Sequence, residues 1–182
     1  MSFNFFDIET TGLDPENDSI ITIQSQLLPK APRTATGPLK IGKLWDHNMS
    51  EKALLSTIIP LFIGSPWKFI PVGNNLVFDF KFLAARIKKY FEFNSTIEYF
   101  LSRPHLDLKT TMILMNDGKF TKYSQIMQKQ SNGKIIPELF RNKKYDEIVN
   151  YVKDEADAFV KFYSHLQETL PSIIYRKLDE FV

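Results

Sequence analysis

The chain has 182 residues, of which 43% are hydrophobic and 24% are charged, a composition typical of one packed globular domain over residues 1–182. It contains no cysteine, which excludes disulfides, thiol catalysis, iron–sulfur clusters and cysteine-ligated zinc. The net charge of +2 is too small to indicate a nucleic-acid partner by itself. The three histidines, His47, His105 and His165, are too far apart for a helical two-histidine zinc motif, so a metal enzyme of this sequence would use carboxylates.

The basic residues are concentrated in the middle of the chain. Residues 81–150 hold 13 Lys and Arg against 7 Asp and Glu, which fits a polyanion-binding face and a solvated surface about equally well. The longest mostly apolar run, residues 53–64, is shorter than the roughly 20 residues that cross a bilayer. The first nine residues lack the basic region of a targeting signal. We therefore expect no membrane association and a cytoplasmic location.

The first third of the chain predicts three strands. Residues 3–8 and 20–28 are β-rich, and the turn residues at 10–18 between them predict an antiparallel pair. A proline-containing loop follows at 29–38, and residues 41–45 predict a third strand. The opening is therefore predicted to be a three-stranded meander.

The middle of the chain predicts alternating helices and strands. Ser50 is a candidate N-cap for a helix over residues 52–59, which Pro60 would end or kink. Residues 67–72 predict a fourth strand, and helical spacing of apolar residues begins after Asp79. The remaining signals in this part are a short helix over residues 123–129 and a turn at Asn132–Gly133.

The last third has the strongest helical pattern. One apolar stripe at helical spacing comprises Val149, Val152, Ala156, Phe159, Tyr163, Leu166 and Leu170. Pro171 is predicted to end this helix after about 25 residues. Strands followed by β–α units and a long helix indicate an α/β domain with a mixed sheet of four or five strands.

The chemistry is concentrated in the octapeptide FDIETTGL at residues 6–13. Alternation along a strand places Asp7 and Glu9 on the same face. Two like charges there repel each other, and a divalent cation between them would remove the repulsion. Glycine-rich phosphate loops of the common kinds and a G-x-S-x-G motif are absent.

This octapeptide closely resembles the first motif of the DEDD superfamily of 3′–5′ exonucleases, which have a ribonuclease H-like fold. Residues 73–83, GNNLVFDFKFL, resemble the second motif, in which an asparagine precedes an aspartate by four positions, here Asn75 and Asp79. The resemblance makes Asp79 the third metal-binding carboxylate. A helix N-cap is the alternative role for Asp79.

The third motif departs from the family pattern. The family has either a histidine five residues before its last aspartate or a tyrosine four residues before it, and histidine is absent from residues 140–160. Tyr151 with Glu155 resembles the tyrosine subclass, with glutamate in place of aspartate. Asp154 and Asp157 are alternatives, and the helical phase beside the core stripe favours Glu155.

The resemblance implies a ribonuclease H-like α/β domain with a mixed central sheet flanked by helices. It implies that Asp7, Glu9, Asp79 and Glu155 bind two Mg²⁺ or Mn²⁺ ions, and that Tyr151 orients or helps to deprotonate the attacking water. Those five residues would form the catalytic group. The implied contacts to the terminal nucleotide are Thr10, Gly12, Leu13 and Asn75.

The implied activity is removal of nucleoside 5′-monophosphates from the 3′ end of single-stranded DNA or RNA, with a polymerase or a repair protein as partner. A catalytically silent binding or interaction module on the same fold is the alternative, and an endonuclease fits the carboxylates but not the octapeptide. The resemblance gives Asp107 a structural role. A basic series could contact phosphates or form a solvated face, and it comprises Lys122, Lys129, Lys134, Arg141, Lys143 and Lys144.

Overall fold

A computed structural model describes residues 2–30, 36–115 and 133–179, with residues 114, 115 and 171–179 as backbone only. In these ranges the strands are β1 (Phe3–Thr10), β2 (Ile20–Leu27), β3 (Lys40–Lys43), β4 (Ile70–Gly73) and β5 (Leu106–Asp107). They form one sheet in the order β3-β2-β1-β4-β5. β2 is antiparallel to β1 and β3, whereas β4 is parallel to β1 and β5. The predicted α/β fold with a mixed sheet is confirmed.

Helices cover both faces of this sheet. They are α1 (Glu51–Ser56), α2 (Ile59–Ile63), α3 (Leu76–Tyr90), α4 (Ile97–Leu101), α5 (Leu108–Met115), α6 (Ile136–Arg141) and α7 (Tyr145–Asp179). Phe6 and Ile8 of β1 lie in one apolar core with residues of α1 to α4. Phe5 lies in a second core with Ala156 and Phe159 of α7. The alternating side chains of β1 therefore separate an α1–α4 face from an α7 face.

The third strand and the first helix differ from prediction at their ends. β3 stops at Lys43, and residues 44–47 form a 3-10 helix where a strand was predicted. The chain leaves the sheet edge here because Leu44 is buried and the Trp45 ring stacks on Tyr145, with centroids 4.5 Å apart. Ser50 is the N-cap as predicted, since its Oγ accepts a hydrogen bond from the Ala53 amide.

The predictions based on prolines were wrong. α1 ends at Ser56, and Pro60 lies in the first turn of α2. Backbone amides of a first turn have no acceptor within the helix, so a proline there removes no helical hydrogen bond. α7 is 35 residues long and continues past Pro171. A proline removes one backbone hydrogen bond and crowds the carbonyl four residues before it, but these local effects do not end α7, whose backbone stays helical through residue 179.

Two further boundaries are shifted, and one predicted element cannot be compared. β4 covers residues 70–73 where residues 67–72 were predicted, and Trp67 is exposed. α3 begins three residues before Asp79, with Asn75 as its N-cap, so the alternative N-cap role of Asp79 was wrong. The predicted helix at 123–129 lies outside the described residues. Within the described ranges, no helix has both the length and the apolar character needed to cross a membrane.

A buried ion pair connects the turn after β1 to the α1–α4 face. Arg86 of α3 donates to Glu51 of α1 at 2.6 Å, and the two side chains are only 2% and 4% exposed. Glu51 also accepts a hydrogen bond from the Ile20 amide at 2.8 Å, and Arg86 donates to the Glu16 carbonyl at 2.9 Å. The pair therefore fixes both the β1–β2 turn and the start of β2.

Replacing Arg86 with methionine should destabilise the protein by about 3–5 kcal/mol, because the Glu51 carboxylate would remain buried without its partner. Equilibrium urea unfolding measures this change. Lys144→Met is the matched control, because the Lys144–Glu147 pair is more than half exposed and should contribute less than about 1 kcal/mol. Equal effects of the two substitutions would contradict the prediction.

Candidate active site

Three of the predicted carboxylates meet between β1 and α7. One carboxylate oxygen from each of Asp7, Glu9 and Glu155 lies within 4.8 Å of the other two. All three side chains are partly buried. Clustered carboxylate oxygens are the ligands that Mg²⁺ and Mn²⁺ prefer, so the donor set fits the cations that the family resemblance implies.

The alignment of α7 along β1 brings these groups together. The rings of Phe5 and Phe159 are in contact, with centroids 4.6 Å apart. From Phe5, two residues along the strand advance about 6.7 Å to Asp7. From Phe159, four residues back along the helix cover about 6 Å to Glu155. Because the distance from Phe5 to Asp7 nearly equals the distance from Phe159 to Glu155, the contact between the two rings also places the carboxylates of Asp7 and Glu155 side by side.

The same geometry separates the three candidates for the fourth ligand. Glu155 is in the cluster, whereas Asp154 and Asp157 are exposed. The residues on either side of Glu155 in the helical stripe, Val152 and Ala156, are fully buried. The structure therefore brings to the cluster the candidate that the helical phase favoured.

Tyr151 lies one helical turn before Glu155. Burial raises the pKa of its hydroxyl far above the usual value, and the negative charges of Glu155, Glu9 and Asp7 raise it further. In the absence of a metal ion, the Tyr151 hydroxyl therefore keeps its proton and can donate a hydrogen bond. Its predicted roles, to orient the attacking water or to help deprotonate it, both stay predictions.

Asp79 lies beside the cluster and is not part of the 4.8 Å group among the described residues. Its carboxylate is buried, and Oδ1 accepts a hydrogen bond from the Ile8 amide at 3.0 Å. Burial raises the pKa of Asp79 well above 3.8, and the charges of Asp107 and Glu155 add to the rise against the opposing backbone hydrogen bonds. The metal-binding role of Asp79 stays a prediction.

Asp107 and Asn75 fix the backbone where α3 begins. Asn75 has a left-handed backbone with φ of 65°, and its amide donates to Asp107 Oδ1 at 2.8 Å. The same oxygen accepts from the Lys109 amide, and Lys109 Nζ donates to the Asn75 side-chain oxygen at 3.0 Å. These bonds agree with a structural role for Asp107, whereas the predicted substrate contact of Asn75 is untested.

The turn after β1 holds the other predicted substrate contacts. Thr10 is buried, and its hydroxyl donates to the Gly12 carbonyl at 2.5 Å. A Cβ on Gly12 would lie 2.3 Å from Asp18 Oδ2. A larger residue would therefore displace the Asp18 carboxylate, which accepts a hydrogen bond from the Asp14 amide. Leu13 is 83% exposed. Thr10 and Gly12 therefore shape the turn, and Leu13 is an apolar side chain that the turn exposes to solvent.

The sequence did not single out three residues near the carboxylates. A Cβ on Gly133 would lie 3.5 Å from Glu9 Oε2 and 3.6 Å from the Tyr151 hydroxyl. Thr22 and Gln24 of β2 lie opposite Glu9 and Asp7 in the sheet. The hairpin register could have revealed the β2 pair, but no local signal connects Gly133 with Glu9.

The five-stranded mixed sheet and the carboxylates on its central strand define a ribonuclease H-like domain. The chain belongs to the RNase_H superfamily, whose family model matches residues 4–126. A curated relative, the PolC-type DNA polymerase III of Thermotoga petrophila, is 29% identical over 101 residues. That match covers 48% of this chain and only 7% of the polymerase. Together with the motifs, these matches confirm the predicted place in the DEDD exonuclease family.

Structures of exonuclease I are also similar. The E. coli enzyme in complex with a dT13 oligonucleotide gives a TM-score of 0.47 at 17% identity, over 62% of this chain and 29% of that chain. Exonuclease I in complex with the inhibitor BCBP gives a TM-score of 0.49 at 16% identity, over 63% and 30% of the two chains.

Without divalent cations, Glu155→Gln should stabilise the protein by about 1–3 kcal/mol, because it removes one of three mutually repelling charges. Thermal unfolding in EDTA measures this gain. Asp154→Asn and Asp157→Asn are the controls, since both carboxylates are exposed on the same helix and should change little. A response of Glu155→Gln equal to the controls would show that the cluster is not under electrostatic strain.

The raised pKa of Asp79 predicts a pH dependence of stability in EDTA. The folded protein binds the proton of the Asp79 carboxyl group more tightly than the unfolded chain does. The stabilisation of the folded state by this proton is therefore fully present below pH 3.8 and is lost as the pH rises through the raised pKa of Asp79. Asp79→Asn keeps an acceptor for the Ile8 amide and removes this loss.

The stability of Asp79→Asn relative to wild type should therefore increase as the pH rises above about 4. Urea unfolding at a series of pH values measures it, with the exposed Asp157→Asn as control. A difference that is independent of pH would contradict the prediction.

Proposed function

We propose that this protein is a metal-dependent 3′–5′ exonuclease that releases nucleoside 5′-monophosphates from the 3′ end of single-stranded DNA or RNA. The observation that carries the proposal is the cluster of Asp7, Glu9 and Glu155, with Tyr151 one helical turn before Glu155. The membership of the RNase_H superfamily supports a nuclease. The direction of digestion and the need for metal rest on the motif resemblance.

The carboxylates of Asp7, Glu9 and Glu155 would bind the metal, with the adjacent Asp79 as the fourth ligand. Divalent cations held by these residues would supply the positive charge that activates a water molecule and stabilises the leaving oxygen of the substrate. Asp79 can serve because its Oδ1 accepts a hydrogen bond from the amide of Ile8, the residue between Asp7 and Glu9, and because its carboxyl group is close enough to Glu155 for the two charges to interact.

The other residues of the chain position water and substrate in this proposal. The Tyr151 hydroxyl keeps its proton and donates it in a hydrogen bond, which orients an oxygen beside Glu155. Gly133 has no side chain, and this leaves space next to Glu9 and Tyr151. The exposed Leu13 offers an apolar contact for the terminal base. Lys134, Arg141 and Lys143 are the candidates for phosphate contacts.

A polymerase or a repair protein is the proposed partner, and the PolC-type polymerase relative is in keeping with it. That relative contains a region similar to this chain within a much longer protein. The cytoplasm stays the predicted location.

The alternative is a silent module that binds nucleic acid or protein on the same fold. Its sequence would not need to keep three carboxylates within 4.8 Å of one another, because their repulsion destabilises the folded state. The retained cluster favours the enzyme.

The test is digestion of 5′-labelled single-stranded DNA and RNA of one sequence in Mg²⁺, Mn²⁺ or EDTA. Wild type should give a ladder of products shortened from the 3′ end, only in the presence of metal. Glu155→Gln and Asp79→Asn should slow digestion by more than about 100-fold, since even the outer partners of metal ligands contribute about 10–100-fold. Asp154→Asn should remain active.

The product pattern distinguishes the alternatives. Internal cuts without a ladder would indicate an endonuclease. Binding of the labelled strands without any cleavage would support the silent module. Loss of activity in Asp154→Asn but not in Glu155→Gln would contradict the assignment of the helix-borne carboxylate.

A further inference from the structure

Two buried polar side chains of β2 have no hydrogen-bond partner among the residues that the structure describes. The Gln24 side chain leaves both amide atoms unpaired, and Thr22 leaves its hydroxyl unpaired. Gln24 is 1% exposed and Thr22 is fully buried, so bulk water does not satisfy them. An unsatisfied buried polar group of this kind destabilises the folded state.

The sheet register places these groups next to the carboxylates. Gln24 lies directly opposite Asp7, and Thr22 lies directly opposite Glu9. Side chains of directly opposed residues in an antiparallel pair lie on the same face, with Cβ atoms about 4.5–5.5 Å apart. The unpaired amide and hydroxyl therefore form the next row beside the two acids of β1.

Neighbouring positions show that the fold does not require polar residues here. Ile41, the partner of Gln24 on β3, is apolar and packs against the core under α7. Gln26, two residues along the same face and opposite Phe5, donates from its amide nitrogen to the Gly37 carbonyl at 2.9 Å. The glutamine next to Phe5 is thus partly satisfied by the protein, whereas the glutamine next to Asp7 is not.

We propose that Gln24, assisted by Thr22, is a positioning residue for the metal-binding carboxylates. When the site takes up a divalent cation, the Gln24 amide donates a hydrogen bond to Asp7, and the Thr22 hydroxyl does the same for Glu9. Ligating carboxylates are themselves usually hydrogen-bonded, and such partners fix their orientation. This inference rests on the proposed function, because it assumes that the carboxylates bind a cation.

The test compares cation affinity with stability in the absence of cations. Mn²⁺ binding to the full chain is measured by calorimetry without nucleic acid, and thermal unfolding is measured in EDTA. Gln24→Met keeps the length of the side chain and removes its polar atoms. It should weaken Mn²⁺ binding by about 10–100-fold. Its unfolding temperature in EDTA should equal or exceed that of wild type, because an unsatisfied amide is removed.

Gln26→Met is the matched control from the same strand and face. It loses the bond to Gly37, so it should unfold at a lower temperature in EDTA and bind Mn²⁺ as wild type does. Thr22→Val is the second variant, with the shape of threonine, and should also weaken Mn²⁺ binding without loss of stability. If Gln24→Met does not fold, the Mn²⁺ affinity of Thr22→Val tests the proposed positioning role.

The outcomes separate this inference from the proposed function. If wild type binds Mn²⁺ and both Gln24→Met and Thr22→Val bind it equally well, the inference is overturned and the proposed function is untouched. If wild type binds no divalent cation, the proposed metal-dependent function fails, and the inference fails with it.

Discussion

The arrangement of the site depends on the apolar contact between the central strand and the long helix. Asp7, Glu9 and Glu155 repel one another, so no attraction among them can hold α7 in place. The contact between the tilted rings of Phe5 and Phe159 and the burial of Val152 and Ala156 provide that attraction beside the charges. The favourable free energy of packing these apolar residues of α7 thus offsets the electrostatic repulsion between Glu155 and the carboxylates of β1.

The contacts of α3 contribute a second set of constraints. The bond from the Ile8 amide to Asp79 connects β1 to α3 at the point where β1 and β4 no longer pair. The Glu51–Arg86 pair connects the same helix to the turn after β1. Because a charged or polar group satisfies backbone atoms in both cases, these contacts fix positions more narrowly than apolar packing does.

The sequence predicted most of the fold and the carboxylates of β1 and α7, because alternation, helical phase and the octapeptide at residues 6–13 are all local signals. It failed where contacts between distant segments decide the outcome. The end of β3 depends on the stacking of Trp45 on Tyr145, and Gly133 reaches Glu9 only through the tertiary fold. The offset of Asp79 from the cluster likewise depends on a hydrogen bond to Ile8, across 71 positions of sequence.

The glutamates at positions 155 and 9 differ from Asp7 in the length of their side chains. Asp7 is attached by a short side chain to a strand that is paired with β2 at this position, whereas each glutamate has one more rotatable bond between its carboxylate and the backbone. A change in ionic radius at the proposed metal site would therefore be absorbed by rotation of the Glu155 and Glu9 side chains, with the sheet unmoved. In that proposal the two glutamates are the adjustable ligands, and Asp7 is the fixed one.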